Sequence, residues 1–177
     1  YEYRDRLTLP KFCINSAGDQ FFLPDSWQFY WDDLKGPKHI RYVPNTGHGL
    51  RDSDAIESLV AFYHAILNKT DLPRYQWKVA KDGTITAKAQ DKPNAVRLWQ
   101  VTNPDARDFR IDQIKNKWTA TELSPNKKGQ YTARPKDPAK GWTAYMIELT
   151  FEGKVRPFKF TSGVVVRPDV LPFADKK

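Results

Sequence analysis

The sequence holds one cysteine, Cys13, in 177 residues, so no internal disulfide can form and cysteine usage leaves the redox compartment open. No run approaches the roughly 20 apolar residues that a membrane-spanning helix needs. No signal peptide opens the chain, and the start, YEYRDRL, lacks an initiator methionine and reads as trimmed. His, Cys, Asp and Glu nowhere fall at metal-ligand spacing, and there is no glycine-rich phosphate loop, so no metal or other cofactor is expected. Also missing is G-x-S-x-G, the strand-to-helix elbow that presents a hydrolase serine.

What is present is the material of a folded protein: 40% hydrophobic residues, with six Trp, eight Tyr and ten Phe, enough to build a sizeable core. The net charge of +8 is unevenly placed. Residues 1–74 hold 9 basic and 10 acidic residues, whereas residues 75–177 hold 20 and 11. That asymmetry suggests two units. The basic residues are scattered, so the excess reads first as solubility and second as an attraction to an anionic surface. They do not interleave with stacking aromatics, and no nucleic-acid partner is expected.

The hydrophobic pattern also divides the chain. LPKFCINSA reads as a buried strand and HIRYV as a second. In DSWQFYWDDL, Trp27, Tyr30, Trp31 and Leu34 share one helical face, with Asp25 as its N-cap. Asp54, followed three residues on by Glu57, reads as the cap of a second helix. Its apolar stripe runs through Ile56, Leu59, Val60, Tyr63, Ile66 and Leu67. The order β-α-β-α predicts parallel neighbouring strands with a right-handed crossover. From Tyr75 the period becomes two: YQWKVA, TITAKA, AVRLWQV, KWTATEL, GQYTAR, WTAYMIELTF, RPFKF and GVVVR are strand-like, with KDG as a hairpin turn. In WTAYMIELTF one face alone looks apolar, that of Tyr145, Ile147, Leu149 and Phe151. The expected fold is therefore α/β plus all-β. Residues 1–73 would be a β-α-β-α piece of a larger sheet and residues 74–177 an antiparallel β-sandwich, with the boundary near Pro73.

Asp19 follows the first strand and His48, in VPNTGHGL, follows the second. In open α/β sheets functional residues collect beyond the carboxyl ends of the strands. A carboxylate that fixes Nδ1–H leaves Nε2 to accept a proton, which is the acid-and-base part of a nucleophilic triad. The α/β-hydrolase chain order, nucleophile then acid then histidine, suits this pair. On pattern alone the pair fits catalysis and a structural turn equally well. His39, opening a strand, and His64, on the helix side away from the stripe, read as solvated, and Cys13 reads as core. Phe21, Phe22, Trp27 and Trp31 are either core or the lining of a substrate pocket.

The stretch YRDRLTLPKFCINSAGDQFFLPDSWQFYWDDLKGPKHIRYVPNTGHGL resembles the corresponding part of the PhoPQ-activated pathogenicity-related protein family. The later LWQVTNPDARDFRID resembles that family too. The resemblance implies the C-terminal portion of a secreted or periplasmic α/β-hydrolase-like protein, linked in some members to bacterial virulence, with a β-rich extension. It implies Asp19 as triad acid and His48 as triad base. The nucleophile must then come from an upstream part of the same protein, because Ser16, Ser26, Ser53 and Ser58 stand in the wrong order or context. Two functional classes follow: a serine hydrolase acting on a small-molecule or peptide ester or amide, or a non-catalytic binding protein on a hydrolase scaffold whose basic sandwich is the binding module.

Overall fold

The computed structural model describes residues 2–173. Its fold is mixed α/β, with most of the structure in strands and little in helices. Strands β1 (Lys11–Ser16) and β2 (Lys38–Val43) pair in parallel, with Lys11 opposite Lys38 and Ser16 opposite Val43. Helix α1 (Ala55–Leu67) follows. The eight later strands are β3 (Tyr75–Val79), β4 (Ile85–Ala89), β5 (Ala95–Asn103), β6 (Thr119–Glu122), β7 (Gln130–Ala133), β8 (Trp142–Phe151), β9 (Phe158–Thr161) and β10 (Val165–Arg167). A one-turn helix, α2 (Ile111–Ile114), lies between β5 and β6. All eight strand-like runs after Tyr75 form strands. β3, β4 and β7 make one antiparallel sheet; β10, β8, β5 and β6 make another, and β9 also pairs with β8. The β3–β4 turn closes at KDG, where Gly83 has φ +88°, a conformation that costs glycine little.

β8 departs from the one-sided pattern expected of it. Tyr145, Ile147 and Leu149 enter a core cluster with Ile85 and Ala87 of β4 and Ala133 of β7. Ala144 and Met146, on the opposite face, are equally buried, in a second cluster with Ala17, Ile40, Tyr42 and Trp118. The second cluster is filled in part by β2, which lies beside β9 and turns Ile40 and Tyr42 toward Ala144 and Met146, with the Tyr42 amide donating to Thr161 Oγ1 at 3.0 Å. Residues from both halves of the sequence therefore share each core.

The first half departs from three expectations. DSWQFYWDDL does not make a helix: only Ser26–Phe29 is helical, as a single 3₁₀ turn. Tertiary contacts override the periodicity, because the Trp27 indole donates to the Val164 carbonyl at 2.7 Å and its ring meets Trp77 edge-on at 5.0 Å. Asp25 does not cap that turn. It forms a buried ion pair with Arg107 at 2.5 Å. Asp54 stands at the α1 boundary, but its carboxylate is taken by Arg41 and Lys159, and Ser53 Oγ accepts the Ala55 amide at 3.3 Å in its place. The apolar stripe of α1 is left open to solvent. Ala55, Ser58, Ala61, Phe62 and Ala65 face inward, while Ile56, Tyr63 and Leu67 are each about 60% exposed.

Candidate functional site

β1 and β2 end side by side, and the site is built on the two loops that leave them. Gly18 allows the first loop to cross the second, since a Cβ there would meet the Thr46 carbonyl oxygen at 2.6 Å. Ser16 sits beneath the crossing. Its hydroxyl donates to the Thr46 carbonyl at 2.7 Å and accepts the Gly18 amide at 3.0 Å, a structural use of that serine.

Asp19 comes next. Its Oδ1 accepts the amides of Phe21 at 2.8 Å and Phe22 at 3.2 Å, and its Oδ2 lies 2.9 Å from His48 Nδ1. Desolvation pushes the Asp19 pKa upward, but the Phe21 amide, the His48 bond and the Phe22 amide together outweigh it. The carboxyl group is held below its ordinary value. An ionised carboxylate only accepts hydrogen bonds, so Nδ1 must carry the proton, and in the neutral ring Nε2 keeps its lone pair. Asp19 is nearly covered, at 9% side-chain exposure, while His48 is half exposed at 52%. An oriented imidazole with one open nitrogen is what proton abstraction from an incoming hydroxyl requires.

The His48 loop is fixed from several directions. Gln20 Oε1 accepts the His48 amide at 2.9 Å. Asn45 exchanges two hydrogen bonds with the backbone of Trp118, at 2.9 and 3.1 Å. Phe21 packs edge-on against the imidazole at 4.8 Å, with Phe22 at 5.9 Å. A Cβ at Gly47 would press on the Gln20 side-chain amide at 2.9 Å, the group that accepts the His48 amide. The sharp turning belongs to other residues: Asn45, Leu50 and Asp52 all have φ between +51° and +57°. Such values are unusual for non-glycine residues, above all for leucine. Gln20 and the Asn45–Trp118 clamp carry no sequence signal, since each is defined by a contact with another loop.

Of the remaining histidines, His39 is buried, against expectation. It stacks on Phe160 at 4.6 Å, and burial lowers its pKa to about 4. His64 is half-buried on α1, and Cys13 is half-buried beside the second core cluster, where desolvation raises its thiol pKa. Phe21 and Phe22 line a cleft beside Asp19, whereas Trp27 and Trp31 pack against the second core cluster. Among the described residues no group of three or more His, Cys, Asp and Glu is placed to hold a metal ion. No helix among them is long and apolar enough to cross a membrane.

A family model described as PhoPQ-activated pathogenicity-related protein matches residues 1–110, a span that includes both parallel strands, Asp19 and His48. The chain belongs to that family. As a PhoPQ-related chain it is also similar to the autocrine proliferation repressor protein A of Dictyostelium discoideum, at 31% identity over 201 residues. That alignment covers 98% of this chain and 41% of the Dictyostelium protein, so the chain spans about two-fifths of this relative's length. No solved structure matches it.

Proposed function

We propose that this chain carries the acid and the base of a serine-hydrolase centre whose nucleophile lies in an upstream part of the same protein. One observation carries the reading: Asp19 Oδ2 stands 2.9 Å from His48 Nδ1 beyond the carboxyl ends of adjacent parallel strands. In this reading β1 and β2 are the closing strands of an α/β-hydrolase-like sheet, and the two antiparallel sheets form a sandwich appended to it. His48 Nε2 takes the proton from the serine as its oxygen attacks the carbonyl of an ester or amide. Asp19 stabilises the imidazolium, which then protonates the leaving alcohol or amine. Water repeats the cycle on the acyl-enzyme. The placement is secreted or periplasmic, and the word autocrine in the name of the Dictyostelium relative suits the first of these.

The second reading, a binding protein on a hydrolase scaffold, draws on the hydrogen bonds of the His48 ring, which among the described residues run to Asp19 and not to a serine. Hydrolysis of p-nitrophenyl acetate by the longer protein that contains this segment separates the two. The enzymatic reading predicts turnover that falls about a thousandfold or more in His48→Ala. It also predicts that the 177-residue chain alone does no better than its own His48→Ala variant. Turnover by the longer protein that is indifferent to His48 would contradict it.

A further inference from the structure

Beside Asp19 the chain forms a cleft of about 410 Å³, within the size range of small-ligand sites. One wall is the run Phe21–Phe22–Leu23, and the other comes from the second half of the sequence, with Phe109 and Trp142. Phe21, Phe22 and Leu23 are 75, 64 and 56% exposed, a concentration of large apolar side chains facing water at one place. A second hollow, of about 630 Å³, holds His48 and shares Gln20 and Phe21 with the cleft. Phe21 therefore touches the imidazole on one side and the cleft on the other.

The charges of the cleft decide what it accepts. Five lining residues are formally charged: four face a counter-charge, and the fifth, Asp19, is taken up by hydrogen bonds from the His48 ring and the Phe21 and Phe22 amides. Arg107 meets Asp25 at 2.5 Å, Arg110 meets Asp108 at 2.6 Å and Asp105 meets Lys140 at 3.0 Å. An ionic ligand group would lose its hydration without gaining a free partner, whereas an uncharged apolar group would bury hydrocarbon against aromatic rings. We propose that this cleft is the subsite for a bulky, uncharged, aromatic or long aliphatic group of the substrate. It thereby sets specificity for the reaction assigned to Asp19 and His48, and rests on that reading for its catalytic meaning. Phe21 hands the bound group on toward the imidazole.

The test is a binding measurement on the 177-residue chain, which needs no nucleophile. The uncharged arene N-phenylnaphthylamine is titrated by fluorescence, then displaced in turn by phenylbutanol, phenylbutyrate and phenylbutylamine. Saturable binding to one site is expected, weakened about tenfold or more in Leu23→Asp and in Phe22→Ser. Both residues are exposed enough for the variants to fold. The alcohol should displace the probe better than either ion. Val60→Ser, on the exposed face of α1, should leave binding unchanged. The proposal is overturned by absence of saturable binding, by binding lost in Val60→Ser but kept in Leu23→Asp, or by preference for the carboxylate or the amine. Loss of esterase activity in the longer protein with binding retained would count against the catalytic reading alone.

Discussion

His39 and His48 belong to one strand and the loop that leaves it, yet they meet opposite environments. His48 is half exposed and bonded to a carboxylate, while His39 is sealed beneath Phe160 and Tyr75. Burial brings the His39 pKa from 6.5 to about 4. Between those values the unfolded chain binds more protons than the folded one, so stability rises with pH through that window. The contribution is complete above about pH 6.5 and is lost as pH falls through about 4, a change of roughly 3 kcal/mol. Urea unfolding of the wild type and His39→Phe across this range should show that slope in the first and its loss in the second. Equal slopes would show that His39 is not the titrating group. The Asp19–His48 relation was legible in the sequence because it follows from chain order and strand ends. The burial of His39 was not, because its covering rings arrive from β3 and β9, far along the chain.

At the scale of elements, α1 is held by charge more than by its apolar stripe. Arg41 on β2 is 1% exposed and bonds to the carboxylate and carbonyl of Asp54 and to Ser58 Oγ, while Lys159 on β9 reaches the same carboxylate. These bonds outweigh the bond from the Asp54 side chain to a helix amide that the sequence suggested. They also fix the end of the loop that carries His48. Asp54→Ala would leave the Arg41 charge buried beside a lost partner and should cost roughly 3 kcal/mol in urea unfolding. Asp54→Ala combined with Arg41→Met should recover part of that loss, since the stranded charge is removed. A cost below about 1 kcal/mol for the single variant would mean that the pair is not what anchors the helix. The strands of the second half were readable because alternation over several residues has few competing explanations. The Trp27–Leu34 segment misled because its aromatic spacing satisfies a helix, while an indole bond to Val164 and a ring contact with Trp77 hold it as turns.

For the whole molecule, α1 has the helical period that the sequence predicts, and its apolar stripe is left uncovered. Ala55, Ala61 and Ala65 pack inward, while Ile56, Leu59, Val60 and Tyr63 lie open. A two-stranded parallel sheet with an apolar helix face beside it suits a piece of a larger layered sheet, since parallel sheets are ordinarily covered on both faces. The chain covers 41% of its Dictyostelium relative, which leaves ample length for the remaining strands and the serine elbow under the proposed reading. The central claim is that His48, oriented by Asp19, activates a serine outside these residues. Labelling of the longer protein by a fluorophosphonate, with the modified residue located by mass spectrometry, tests it most directly. The account predicts one labelled serine upstream of Tyr1, with labelling suppressed in His48→Ala and weakened in Asp19→Asn. An unlabelled protein, or a serine labelled equally well without His48, would contradict it.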